Sequence, residues 1–200
     1  MTTKGDLTRQ HILEKSMQLF SVKGYFNTSI DSIVKATGIT KGGLYGHFRN
    51  KQEIWFAVYE ECVRIWKNVV FKGVRNISDP LARIERVMEN SLQNYLGAGV
   101  FDGGCFLLNS LVELAGQSAP MSQNLLAGFK AFAELIGLWL KEADQKGLLR
   151  IGMNHQEIAT FLVVSLNGAA PLYAASKDPG VWRDTLVQLR YYLKSLRKEG

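Results

Sequence analysis

Residues 24–54 of this chain read GYFNTSIDSIVKATGITKGGLYGHFRNKQEI, and this stretch decides the fold of the N-terminal quarter. A short apolar helix is predicted after a cap at Thr28 or Ser29, and Gly38 closes it. Thr40 then caps a second short helix. Two short helices joined by a glycine-containing turn predict a helix-turn-helix, the motif whose second helix enters the major groove of DNA.

The residue types of the second helix suit contact with a phosphate backbone. Lys41 stands at the helix start, where exposed N–H groups and the helix dipole favour an anion. Gly42 and Gly43 cost roughly 1 kcal/mol each relative to alanine in a helix, which indicates a steric demand for close approach by DNA. Tyr45 and His47 carry polar-tipped rings that can reach phosphate oxygens.

The positive charge of the chain is concentrated in the same region. Residues 1–51 contain eight Lys or Arg against three Asp or Glu, a net +5, whereas the remaining residues contain 16 against 15, a net +1. A basic end on a nearly neutral body is typical of proteins that bind a polyanion such as DNA. A solvated basic surface is the open alternative.

The rest of the chain continues the helical pattern. Apolar residues recur at three- and four-residue spacing and strict alternation is absent, which predicts an all-α fold of about nine helices. Besides the two short ones, the predicted helices span about 7–23, 50–72, 80–97, 105–116, 120–147, 155–176 and 179–199, with a glycine-rich break at 97–104. The predicted division is a helix-turn-helix DNA-binding domain at 1–50 and a helical effector-binding and dimerisation domain at 51–200.

The N-terminal pattern resembles that of the TetR family of transcriptional regulators. The family signature is matched at Gly24, Thr28, Ile30, Ile33, Ala36, Gly38, Ile39, Thr40, Lys41, Gly42, Leu44, Tyr45, His47, Phe48 and Lys51. Many dispersed matches in one register make the resemblance specific, and the chain length and the helical remainder also fit the family. One departure is Gly43, where many members carry Thr or Ala, so a hydroxyl contact is missing here.

The resemblance implies a ligand-responsive repressor that binds a palindromic operator as a homodimer. It places Thr28 and Thr40 on phosphates and turns Lys41, Gly42, Gly43, Tyr45, His47 and Lys51 towards DNA. It also implies that helices after the third enclose a cavity for a small-molecule effector and that the last two helices pair across the dimer axis. A ligand between the fourth and eighth helices would then pivot the fourth helix and separate the two recognition helices.

The spacing of the last helix predicts a dimer interface independently of the resemblance. Trp182, Leu186, Leu189, Leu193 and Leu196 follow a heptad-like spacing that is typical of helix pairing. The alternative is an amphipathic helix packed within one subunit.

Residues 158–176 carry no charge and approach the length of a membrane span, yet a helix that is apolar all round is also typical of a protein interior. We favour burial at a subunit contact.

Large apolar groups, and polar residues that interrupt apolar faces, predict a site for an apolar or aromatic ligand. The predicted ligand-binding residues are Trp66, Phe101, Cys105, Phe106, Asn109, Glu113, Phe132, Asn167 and Tyr173. Core packing is the alternative for the aromatic residues, and surface exposure is the alternative for Asn109, Glu113 and Asn167.

Cys105 leaves a second regulatory hypothesis open. It follows Asp102-Gly103-Gly104 at a predicted helix start, where a helix N-terminus lowers the pKa of a thiol and favours the reactive thiolate. A redox or electrophile sensor acting through Cys105 is therefore one hypothesis, and a small buried residue is the plainer alternative.

An all-helical enzyme is the remaining alternative, but the sequence carries no catalytic signature, cofactor motif or metal-ligand spacing. Two cysteines and an N-terminus without an apolar core predict a cytoplasmic protein.

Overall fold

The computed structural model describes residues 3–101, 103–150 and 152–198, and most of them are helical. The α-helices are α1 (Lys4–Lys23), α2 (Ile30–Thr37), α3 (Lys41–Tyr45), α4 (Lys51–Val70), α5 (Pro80–Glu89), α6 (Phe106–Leu114), α7 (Ala119–Gln145), α8 (His155–Ser176) and α9 (Pro179–Leu196). A 3-10 turn spans Val74–Asn76 and a π-helical segment spans Asn90–Gly97. The predicted fold class is confirmed, because the described residues hold nine α-helices and no strand beyond an isolated bridge between Leu149 and Arg197.

The short helices of the N-terminal motif begin at side-chain caps. Ser29, rather than Thr28, caps α2, since its Oγ accepts a hydrogen bond from the backbone N–H of Ser32 at 3.1 Å. Thr40 and Asn50 cap α3 and α4 in the same way. Each cap satisfies a backbone N–H that has no partner inside the helix, so the start of each helix is set locally.

Helices α1, α2 and α3 enclose a small apolar core that rests on α4. Ile12, Ile33 and Leu44, one from each of the three helices, have no exposed surface. Ile54 and Trp55 at the start of α4 are also fully buried, because α1 packs along α4. The first half of α4 therefore belongs to the core of the N-terminal motif, while its second half enters the C-terminal bundle.

Some helix boundaries differ from the prediction for identifiable reasons. Helix α4 ends at Val70, and the buried side-chain amide of Asn90 donates hydrogen bonds to the carbonyl oxygens of Val70 and Lys72 at 2.9 and 3.0 Å. This long-range cap comes from the π-helical segment and has no local sequence signal. Helix α9 ends at Leu196, and residue Glu199, the predicted end, lies outside the described residues.

The leucine seam predicted as a subunit interface is buried within one subunit instead. Leu186, Leu189 and Leu193 are 4%, 4% and 5% exposed in the single chain, and Trp182 is half-buried near Gly97. Helix α9 turns this face inward because it packs against α5, α8 and the π-helical segment. Leu186, Leu189 and Leu193 are therefore covered within the subunit, as the amphipathic alternative predicts, whereas Trp182 stays partly exposed and its place in a dimer contact remains a prediction.

A different apolar face of the last two helices remains at the surface. On α8 it consists of Phe161, Val164 and Leu172, and on α9 of Val187 and Tyr191, with exposed fractions of 43% to 65%. We call these five residues the outer α8–α9 face. Helix α8 is long and apolar enough to cross a membrane by length and composition alone, but its opposite side is core. Its apolar composition thus supplies two faces, one packed within the subunit and one open.

Candidate DNA interface, effector cavity and the junction between them

Helix α3, the second helix of the helix-turn-helix, presents a nearly bare surface to solvent. Gly42 and Gly43 are exposed, and the Tyr45 side chain is 48% exposed. On the opposite side Leu44 and Phe48 are buried and fix the helix to the N-terminal core. The open side offers backbone and a phenol hydroxyl with no bulky side chain between them, a shape that allows close approach to a DNA groove.

The first turn of α3 carries a lysine that is already paired. Lys41 Nζ lies 2.7 Å from a carboxylate oxygen of Asp31 on α2, and both side chains are exposed. The hydrogen bond and the negative charge of Asp31 raise the pKa of Lys41. Asp31 therefore holds the lysine in place and also cancels part of its charge, a role that no short-range sequence pattern indicates.

The other polar residues at this edge divide into exposed and partly covered groups. Thr40 is exposed, and its hydroxyl oxygen accepts the N–H of Gly43 at 3.1 Å, which leaves the hydroxyl proton available to an outside acceptor. His47 is half-buried. Thr40 and Tyr45 thus offer hydroxyl groups on the open side of α3.

Thr28 is buried and Lys51 is half-buried with its ammonium bonded to the backbone, which corrects the prediction that their polar groups face DNA. Thr28 has no exposed surface, and its hydroxyl donates to the carbonyl oxygen of Gly24 at 2.7 Å. The ammonium of Lys51 donates to the carbonyl oxygens of Tyr25 and Thr28 at 2.8 and 2.9 Å and lies 4.1 Å from the centre of the Tyr25 ring. Burial lowers the pKa of Lys51, although the charge of Glu113 opposes that effect. Both residues brace the turn between α1 and α2.

Glu113 on α6 binds the same turn from the C-terminal bundle. Its two carboxylate oxygens accept the backbone N–H groups of Tyr25 and Phe26 at 2.8 and 2.9 Å. Gly24 precedes them with a φ of 78°, and a Cβ there would come within 2.7 Å of the Glu113 carboxyl group. Glycine is therefore required at position 24 both for its backbone angle and for this close approach. We call Glu113, its two N–H partners and Lys51 the junction, since it joins the N-terminal motif to the bundle.

A cavity of about 360 Å³ lies in the bundle, enclosed mainly by α4, α7 and α8. Such a volume falls at the small end of ordinary ligand sites. Most of its wall is apolar, and the aromatic part includes an edge-to-face contact between Trp66 and Phe132, with ring centres 5.0 Å apart. The lining residues are Tyr59, Val63, Trp66, Lys67, Phe71, Ser91, Tyr95, Leu96, Cys105, Leu107, Leu125, Gly128, Phe129, Ala131, Phe132, Leu135, Leu166, Asn167 and Ala170.

The structure brings four of the nine predicted ligand-binding residues into this wall, namely Trp66, Cys105, Phe132 and Asn167. The other five lie outside this wall, and each makes a contact within the protein. Phe101 and Phe106 pack their rings together, and the Tyr173 hydroxyl donates to the Gly97 carbonyl oxygen at 3.3 Å. Asn109 donates to the Gly103 carbonyl oxygen at 2.7 Å, and Glu113 belongs to the junction. Sequence reasoning missed Tyr59, Phe71 and Tyr95, since apolar periodicity does not separate a cavity wall from solid core.

Cys105 lines the cavity, but its environment opposes thiolate formation. The residue is 8% exposed and precedes α6, and its thiol lies 4.0 Å from the Tyr95 hydroxyl. Burial raises the pKa of the Cys105 thiol, and this effect outweighs the N–H groups of Leu107 and Leu108, which lower it. The expected gain in reactivity from the helix N-terminus is therefore outweighed by burial, which favours the interpretation of Cys105 as a small buried residue.

Comparison with known proteins identifies the family. Residues 12–58 match the family described as bacterial regulatory proteins, tetR family, and residues 80–188 match the family described as tetracyclin repressor-like, C-terminal domain. The second match alone spans more than half of the chain. The chain belongs to the TetR family. TetR-family proteins are transcriptional regulators rather than enzymes, so the regulatory class predicted from the sequence is confirmed.

Individual TetR-family relatives agree over most of their length. The HTH-type transcriptional repressor DhaR of Mycobacterium sp. (strain GP1) is 29% identical over 164 residues, which cover 80% of this chain and 79% of DhaR. A TetR transcriptional regulator from Chloroflexus aurantiacus J-10-FL has the same fold, with a TM-score of 0.91, 22% identity and coverage of 98% and 99% of the two chains. AibR, solved in complex with isovaleryl coenzyme A and operator DNA, shares the fold with a TM-score of 0.70, 21% identity and coverage of 94% and 97%.

Proposed function

We propose that this TetR-family regulator is a repressor that binds a palindromic operator as a homodimer and is released by a small, mostly apolar effector. The observation that carries the proposal is the bonded junction between two candidate sites. Helix α3 belongs to the N-terminal motif and the cavity lies in the bundle, and Glu113 bonds the Tyr25 turn of the motif to α6, which contributes Leu107 to the cavity wall. DhaR is named a repressor, and AibR was solved with both a ligand and operator DNA, which supports this assignment by likeness.

The proposed DNA contacts are the exposed groups of the helix-turn-helix. Tyr45 and Thr40 offer hydroxyl donors, Lys41 offers a cation at the helix start, and Gly42 and Gly43 allow the backbone to approach. His47 completes the set at the edge of α3. We propose a division at residue 50, where α4 begins, with the DNA-binding domain at 1–50 and the effector-binding and dimerisation domain at 51–200, and with the first half of α4 packed on the DNA-binding domain.

The proposed dimer forms through the last two helices by their outer α8–α9 face. Its apolar side chains are exposed in the single chain, and exposed apolar patches of this kind mark interaction surfaces. Gly168 lies between Val164 and Leu172 on the same side of α8, and apart from the adjoining backbone of α8 no described atom lies within 4 Å of the position its Cβ would take. The helix of a second copy can therefore approach closely at this point. A two-fold axis there relates two α3 helices, as a palindromic operator requires.

The proposed release step involves α4 and α6, because each carries a junction residue and also lines the cavity. Helix α4 contributes Val63 and Trp66 to the cavity wall, and α6 contributes Leu107. An effector that binds most tightly when α4 and α6 have shifted favours that shifted state. Because the junction bonds the Tyr25 turn to both helices, the turn moves with them and the separation of the two α3 helices changes. The effector acts only through its difference in affinity for the two states. A cytoplasmic location is part of the proposal, since operator DNA is there.

A salt-dependent binding titration tests the proposed function. The purified protein is titrated against its own upstream DNA, with a scrambled duplex of the same length and composition as the control. We expect salt-sensitive binding with a preference for the upstream duplex of roughly a thousandfold or more. Equal and weak binding to both duplexes would contradict operator recognition and leave only a basic surface.

A further inference from the structure

The cavity wall has an uneven distribution of charge. Among the described residues that line the cavity, only Lys67 has a charged side chain, and none carries a carboxylate. Lys67 is exposed, so it stands where the cavity meets solvent. Its ammonium makes no hydrogen bond or ion pair within the described part of the chain. By contrast Arg64, one turn earlier on α4, is paired with Glu61.

The neutral polar groups of the wall are largely committed to the protein. The Tyr59 hydroxyl donates to the Asn124 carbonyl oxygen at 3.2 Å, and the Ser91 hydroxyl donates to the Val87 carbonyl oxygen at 2.6 Å. The Asn167 amide nitrogen donates to the carbonyl oxygen of Val163 at 2.8 Å. A ligand therefore meets mostly satisfied polar groups and apolar surface inside the cavity, and an unpaired cation at its entrance.

This arrangement discriminates between ligands by charge. A cationic ligand finds no carboxylate in the wall and is repelled by Lys67, whereas an uncharged one gains nothing from the lysine, which stays hydrated. A ligand with an apolar body and an anionic end buries the body among Trp66, Phe129 and Phe132 and places the anion at Lys67. We infer that the effector is an apolar acid whose carboxylate pairs with Lys67 at the mouth of the cavity. The inference rests on the proposed function, in which this cavity is the effector site.

Three ligands that share a ten-carbon chain test the charge of the head group. The uncharged fluorophore N-phenyl-1-naphthylamine is bound to the full chain at neutral pH and displaced by decanoate, decanol or decylamine. We expect decanoate to displace it at about one-third of the decanol concentration, and decylamine to be the weakest. Lys67→Met should remove the advantage of decanoate over decanol, while the exposed Lys141→Met variant should keep it. Lys67 is exposed, so its replacement leaves the core unchanged.

The outcomes separate this inference from the proposed function. Equal displacement by decanoate and decanol, stronger displacement by decylamine, or an advantage of decanoate that survives in Lys67→Met would each overturn the assignment of the head group. Release of an operator duplex is followed in parallel. Displacement of the fluorophore by decanoate without release of DNA would support the head-group assignment and contradict the proposed release step. Failure of all three ligands to displace the fluorophore would overturn the head-group assignment, whereas operator binding is tested independently by the DNA titration.

Discussion

Glu113 and Lys51 hold one turn of backbone from two different helices. The carboxylate of Glu113 accepts the N–H groups of Tyr25 and Phe26, while the ammonium of Lys51 donates to the carbonyl oxygen of Tyr25. The turn between α1 and α2 is thereby bonded both to α6 and to the start of α4. Any relative movement of these helices must move the turn or break a charge-assisted hydrogen bond.

Replacement of Glu113 by glutamine should weaken the junction. Glutamine keeps one acceptor oxygen but places an amide donor against the second backbone N–H, so we expect a loss of about 1–2 kcal/mol in the free energy of unfolding. Denaturant unfolding measures this loss. Glu134→Gln, at an exposed position on α7, is the matched control and should change stability little. If the cavity acts through the junction, Glu113→Gln should also reduce the change in operator affinity that a ligand produces. An unchanged ligand response would argue against that coupling.

Replacement of Asp31 by asparagine should strengthen binding to DNA. The substitution releases Lys41 from its ion pair and removes a negative charge next to the proposed interface. The affinity for an operator duplex should rise about two- to fivefold, because exposed ion pairs are weak and screened by salt. The gain should shrink as salt is added. Glu134→Gln removes the same charge far from α3, and an equal gain in that variant would show that only net charge matters.

Replacement of Tyr45 by alanine should weaken operator binding and leave assembly unchanged. The ring is exposed on α3 and makes no contact with the outer α8–α9 face. We expect a loss of about tenfold or more in affinity, measured by the same DNA titration, and an unchanged mass in analytical ultracentrifugation. Loss of the dimer in this variant would contradict the assignment of Tyr45 to the proposed DNA interface.

Two leucines on the last two helices should respond in opposite ways. Leu172 is 63% exposed on α8, so Leu172→Glu should fold normally but yield a monomer in analytical ultracentrifugation. Leu189 is 4% exposed on α9, so Leu189→Ala should leave a cavity and cost about 2–5 kcal/mol of stability. A dimer that persists in Leu172→Glu would show that the subunits meet elsewhere.

The two cysteines should be slow to alkylate in the folded protein. Burial raises the pKa of the Cys62 and Cys105 thiols, so both stay protonated at pH 8, where the thiols of an unfolded chain begin to ionise. Iodoacetamide should label the native chain at least about tenfold more slowly than the urea-unfolded chain. The free energy of unfolding should also fall as the pH rises past the ordinary thiol pKa, because the unfolded chain releases its protons first. Rapid labelling of native Cys105 would revive the sensor hypothesis.

The sequence by itself determined the helical elements, the helix-turn-helix and the family. These depend on local signals, because a cap such as Ser29 or Thr40 acts on an N–H two or three residues away and apolar periodicity acts within one helix. Only the tertiary structure decided which way the polar and apolar side chains face. It turned Lys51 inward, set Glu113 against a turn 88 residues earlier and buried the Leu189 seam while leaving Leu172 exposed. The physical reason is that each of these outcomes depends on which distant helix packs on which side, and helical spacing shows that a face is apolar but not what covers it.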